Sequence, residues 1–167
     1  AVGDTLTCTA TADDGDAGIT TDSAIATVTN TAPEMSSVRV TPTTGKVGDT
    51  LTCVAEATDD DGDTVGYDYT WSTGAAGDSY RITDDDNPGD TLTCTATATD
   101  TTGASDTGTE SATVDNTDPE MTSVVIAPES GTVGTMLTCS ATATDADGGS
   151  PTLEYTWSTG GTGPTYV

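Results

Sequence analysis

Residues 91–99 read Thr-Leu-Thr-Cys-Thr-Ala-Thr-Ala-Thr, a strict alternation of hydroxyl-bearing and apolar side chains. In an extended strand a period of two puts Leu92, Cys94, Ala96 and Ala98 on one face and the threonines on the other. The device recurs nearby. Leu51, Cys53, Ala55 and Ala57 share a face over 50–58, and Tyr67, Tyr69 and Trp71 share one over 67–73, with Asp68 and Thr70 opposite. Thr, Val and Tyr favour strands, while the Gly, Asp and Pro between these segments favour turns. Further strands are expected near 37–41, 79–83 and 109–115, and helical spacing occurs nowhere. Strands with apolar faces turned inward from two sides make a two-sheet sandwich.

The same text stands elsewhere in the chain. Gly-Asp-Thr-Leu-Thr-Cys-Thr-Ala-Thr-Ala occupies both 3–12 and 89–98, and Tyr-Thr-Trp-Ser-Thr-Gly both 69–74 and 155–160. A shift of 86 residues, without a gap, lays Cys8 on Cys94, Cys53 on Cys139, Trp71 on Trp157 and Pro33 on Pro119, with 43 identities over 81 positions. A disordered low-complexity tract is under no packing constraint that would keep Cys, Trp and turn Gly in register. Asn-Thr-Ala-Pro-Glu at 30–34 and Asn-Thr-Asp-Pro-Glu at 116–120 read as linkers, because Pro breaks a ladder and Asn and Asp favour turns. The expected organisation is the back half (strands F and G) of a preceding repeat at 1–31, a complete repeat at 32–117, and the front part (strands A to E) of a following repeat at 118–167.

Composition limits what such a chain can do. With 167 residues, 32% apolar, 4% aromatic and no Phe, one large core cannot be filled. Three Lys and Arg against 28 Asp and Glu give a net charge of −25, so nucleic acid and anionic membrane surfaces are poor partners and cations are good ones. The absence of His removes the commonest general base, and no apolar run is long enough to span a bilayer. An enzyme is not expected: a narrow Ala-lined sandwich offers no cleft in which two carboxylates could be driven apart in pKa.

Cys53 on strand B, Trp71 on strand C and Cys94 on strand F resemble the immunoglobulin-like pattern. With Thr-Asp-Asp-Asp-Gly-Asp at 58–63 ahead of the Tyr and Trp strand, the repeat is similar to the PKD-type and Ig-like surface repeats of bacteria and archaea. Leu92 stands where a tyrosine corner would place Tyr, so antibody-type domains fit less well. The resemblance implies an all-β fold of tandem immunoglobulin-like β-sandwich repeats with a period of 86 residues. It also implies a Cys53–Cys94 disulfide, the alternative being two buried free thiols, and hence an oxidising, extracellular or cell-surface setting. Cys8 and Cys139 then need partners outside their own repeats. Either the sequence is a window on one long polypeptide, the simpler reading, or identical subunits complete one another, Cys139 of one bonding Cys8 of the next. Both give a filament or stalk of neighbouring repeats.

Hard carboxylate oxygens gathered in turns suit calcium. Asp59, Asp61 and Asp63 in the B–C loop are candidate ligands together with Asp100 and Glu34, and Asp145, Asp147 and Glu120 hold corresponding places in the following repeat. Cadherin-like repeats stiffen their junctions in this way, and residues 115–120 resemble their linkers; the alternative is that Asp and Gly merely serve the turns. The run Asp84–Asp86 reads as a solvated loop. Thr91, Thr93, Thr95, Thr97 and Thr99 form an outward row that either makes a soluble β face or carries O-linked sugar. Two functions are weighed. One is a structural component of an extracellular filament, stalk or adhesin shaft. The other is a carbohydrate- or surface-binding accessory module, in which Tyr67, Tyr80 or Tyr166 would present rings to glycans.

Overall fold

The computed structural model describes residues 1–167. It contains β1 (Thr5–Asp13), β2 (Ile19–Thr27), β3 (Glu34–Thr41), β4 (Thr44–Gly45), β5 (Thr50–Thr58), β6 (Gly66–Trp71), β7 (Ser79–Arg81), β8 (Thr91–Thr99), β9 (Ser105–Val114), β10 (Glu120–Ala127), β11 (Leu137–Thr144) and β12 (Thr165–Tyr166). The sheets are ordered β1-β2, β3-β5-β7, β4-β9-β8-β6 and β10-β11-β12. The fold is all-β with several sheets, consistent with a β-sandwich. No helix is long and apolar enough to cross a membrane.

Two compact units divide the chain. The first is Ala1–Arg39 with Cys53–Asp78 and Thr93–Glu110; the second is Val40–Thr52 with Ser79–Leu92 and Ser111–Val167.

In the first unit, β1 and β2 form an antiparallel hairpin in register from Thr5↔Thr27 to Asp13↔Ile19. β6 lies antiparallel to β8, from Gly66↔Thr99 to Trp71↔Cys94. A disulfide joins Cys53 on β5 to Cys94 on β8, with Cα atoms 6.4 Å apart, and so ties two different sheets together. Ala55, Ala96, Ala98 and Trp71 are buried as the alternation requires, and the Trp71 indole N–H donates to the Gly77 carbonyl at 3.0 Å. Closing a loop across a separation of 41 residues restricts the unfolded chain by about 4 kcal/mol in the chain-entropy view. Tyr67 keeps the inward face expected of it: it pairs with the buried Ala98, and its hydroxyl accepts the N–H of Ala57 on β5, in the other sheet, at 2.8 Å. Near the start of β6, the last strand of its sheet, it stays partly exposed and stacks on Tyr69. Gly108 on β9 is a close approach: a Cβ there would stand 2.7 Å from Val38 Cγ2 and 2.9 Å from Met35 Cγ.

In the second unit, β5 and β7 pair over Leu51↔Tyr80, and β4 runs parallel to β9 at Gly45↔Val114. Val40, Leu51, Ile82, Leu92, Ala112 and Val114 are buried. Asp86 is buried as well, contrary to the solvated loop expected of the 84–86 run. One of its oxygens accepts the Tyr80 hydroxyl at 2.8 Å, the Thr83 N–H at 2.9 Å and the Thr83 hydroxyl at 3.1 Å. Three donors on one carboxylate oxygen offset its loss of water. β11 pairs with β10 and β12, and the larger apolar side chains of β10 (Met121, Val124, Val125 and Ile126) stay exposed.

Candidate junction and cation site

The segment between β2 and β3 is fixed by two loops of the first unit, the one after β5 and the one after β8. The first loop turns on Asp59, whose Oδ1 accepts the Asp61 N–H at 2.8 Å, followed by Gly62 at φ +78°. The second turns on Asp100, whose Oδ1 accepts the Thr102 N–H at 2.8 Å, the Thr102 hydroxyl at 2.9 Å and the Ala104 N–H at 2.9 Å. Such Asx turns let a short chain reverse direction with its amides satisfied. The linker then docks by two bonds. Asn30 Nδ2 donates to Asp100 Oδ2 at 2.8 Å, and the Thr31 N–H donates to Asp61 Oδ2 at 2.6 Å.

Asp100 is only 6% exposed, yet its carboxyl is held down at about 2 from an ordinary value of 3.8. The Asn30 amide is the largest cause, with Thr102 and Ala104 adding to it against the opposing effect of desolvation. Asp106 on β9 is also lowered, by the Met35 N–H at 2.8 Å and then by the Thr107 N–H. It fastens the start of β3 to β9.

Carboxylate oxygens of Asp59, Asp63 and Asp100 lie within 4.8 Å of one another. Oxygens bound to one Ca²⁺ at about 2.3–2.6 Å are at most about 5 Å apart, so the three fit a single ion. Asp59, one of the three, has its Oδ2 buried without a hydrogen bond, and so has Oδ1 of Asn30, the amide that holds Asp100 Oδ2. A buried carboxylate oxygen without a donor is costly, and a hard cation is one partner that would satisfy it.

The expected ligands therefore divide. Asp59, Asp63 and Asp100 converge. Asp61 spends an oxygen on the linker amide. Glu34 is exposed at the first position of β3 and is outside the group. In the second unit the Thr117 N–H donates to Asp147 Oδ2 at 2.6 Å, the counterpart of Thr31 and Asp61, and Asp145 Oδ1 accepts the Asp147 N–H at 2.9 Å. Thr117 Oγ1 and Asp147 Oδ1 are buried there without partners. Glu120 is exposed, and Gly149 stands where the first loop has Asp63, so no group of three carboxylates forms at this second linker. Asn30 is the participant that sequence reasoning missed; its recurrence as Asn116 in both linkers was the available signal.

The threonine row is less open than expected. Thr91 is exposed, but Thr93, Thr95, Thr97 and Thr99 are half-buried, because β8 is an interior strand of its sheet. Thr95 faces Thr70 and Thr97 faces Asp68 across the ladder with β6. Of the candidate sugar-facing rings, Tyr80 is half-buried and bonded to Asp86, and Tyr166 packs on Trp157 at 5.3 Å between ring centroids. Cys8 is an exposed free thiol and Cys139 a half-buried one. No protein-family model matches the chain, and neither does any curated protein.

Proposed function

We propose that this chain forms part of the shaft of an extracellular filament, stalk or adhesin, built from tandem immunoglobulin-like repeats of 86 residues. One observation carries the reading: the linker-to-loop contact at Thr31 and Asp61 recurs at Thr117 and Asp147, both at 2.6 Å. A linker whose backbone is hydrogen-bonded to the next loop is a poor hinge, and a series of poor hinges makes a semi-rigid rod. The disulfide suits an oxidising location outside the cell, and strong self-repulsion from the net charge of −25 discourages collapse. Electron microscopy of native material with antibody against this chain is the direct test. Labelled fibres support the shaft; label confined to non-fibrous complexes on polysaccharide points to the accessory-module alternative.

Calcium belongs to the same reading. Asp59, Asp63 and Asp100 would hold it at the first linker, with Asn30 Oδ1 as a neutral donor, and the ion would cancel the mutual repulsion of three gathered carboxylates. Thermal melting in calcium and in excess chelator checks it. The midpoint is expected to rise with calcium in the natural chain and to be insensitive to it in Asp59→Asn; equal midpoints in the natural chain remove the ion.

A further inference from the structure

Charge on this chain has little internal answer. Arg39, Lys46 and Arg81 all fall in residues 32–117, which hold 17 Asp and Glu, while residues 1–38 and 82–167 contain no Lys or Arg at all. The carboxylates are met instead by neutral donors: Asp61 by the Thr31 N–H, Asp86 by the Tyr80 hydroxyl, Asp100 by the Asn30 amide and Asp106 by the Met35 N–H. A neutral donor satisfies an oxygen but leaves the net charge where it was. Folding gathers that charge onto 10775 Å² of surface, about 430 Å² for each unit of the net −25, so neighbouring charges lie on the order of 20 Å apart. Apart from Trp71 the core that offsets their repulsion holds no aromatic ring, and Ala55, Ala96, Ala98 and Ala112 take four of its places, so apolar burial is modest.

We propose that dissolved monovalent cations supply the missing counter-charge, so that ionic strength regulates the fold: the chain is loosened in dilute solution and tightened in saline. The Debye length sets where the change falls. At about 0.01 M salt it is about 30 Å, longer than the spacing of the charges, and each charge feels its neighbours. At about 0.15 M it is about 8 Å, and most of that repulsion is gone. Asp59, Asp63 and Asp100, whose oxygens lie within 4.8 Å of one another, stay inside even the shorter length, so their repulsion outlasts ordinary salt. Salt dependence is accordingly a property of the whole charged surface. It is separate from any ion held at the first linker, and it does not require the shaft reading.

Urea, being uncharged, unfolds the chain without screening its charges. Unfolding of the natural chain is followed by circular dichroism in excess chelator, with NaCl from about 0.01 to 0.5 M. The urea midpoint is expected to rise steeply up to about 0.15 M and then to level off. NaClO4 should give the same rise over that range, because screening depends on ionic strength and not on the anion. Asp68, Asp78 and Asp85 are exposed and lie outside the carboxylate group. Asp68→Lys, Asp78→Lys and Asp85→Lys together, three reversals of two units each, take the net charge from −25 to −19. Self-repulsion scales about as the square of the charge, so the rise in midpoint should shrink by roughly 40%. Asp59→Asn should keep the natural salt dependence. A midpoint that is flat or falls between about 0.01 and 0.15 M, a triple variant as steep as the natural chain, or chloride and perchlorate that diverge from the lowest concentrations would each overturn the proposal. Salt dependence lost in Asp59→Asn would do the same, since it would assign the effect to the first linker. Calcium-dependent melting can succeed or fail without changing any of these outcomes, so the two readings fall separately.

Discussion

β1 and β8 carry the same nine-residue alternation up to the last position, where β1 ends in Asp13 and β8 in Thr99, yet they live in different surroundings. Leu6 is 62% exposed and Leu92 3%; Cys8 is a free thiol and Cys94 is bonded to Cys53. Alternation is therefore enough to make a strand with an apolar face. What buries that face is a second sheet, and only β8 has one joined to it by a disulfide, through β5. Strand formation is written in nine residues; a core needs partners far along the chain.

The sharpest way to break the comparison is at the sulfurs. Replacing Cys53 and Cys94 together by Ala should cost about 4 kcal/mol in urea unfolding, whereas Cys8→Ser with Cys139→Ser should leave the monomer within about 0.5 kcal/mol. Equal losses would mean that the two strands are equally embedded. Next come the leucines: Leu92→Ala leaves a cavity among buried neighbours and should cost about 2–4 kcal/mol, while Leu6→Ala, already in water, should cost less than about 0.5 kcal/mol. The smallest effect is electrostatic. Asp106 has a lowered pKa in the folded chain, so its contribution to stability is present above the ordinary carboxylate range and disappears as pH falls through the lowered value. Asp106→Asn should accordingly narrow the gap in melting temperature between neutral and acidic solution. A variant with an unchanged gap would show that the Met35 bond is not coupled to folding.

Sequence reading reached the strands it could hear as alternation. β5 and β8 begin and end where expected, at 50–58 and 91–99. β9 starts at Ser105 rather than near 109, because Ser-Asp-Thr-Gly carries no apolar beat and Gly108 is selected by the nearness of Val38, which is invisible along the chain. β4 has only two residues, too short for any period. The acidic loops were legible as loops, but not the division of labour within them. Asp61 binds a backbone amide and Asp86 is buried under a tyrosine hydroxyl, while Asp59, Asp63 and Asp100 meet; only packing decides which carboxylate finds a donor and which is left with its like.

Native-state hydrogen exchange on the Cys8→Ser, Cys139→Ser chain, at dilution that keeps it monomeric, compares the two matching strands within one molecule. Amides of Leu92 to Ala98 are expected to exchange orders of magnitude more slowly than those of Leu6 to Ala12, since the first open only when the disulfide-linked core unfolds. Equal protection of the two strands would contradict a core built around Cys53, Trp71 and Cys94.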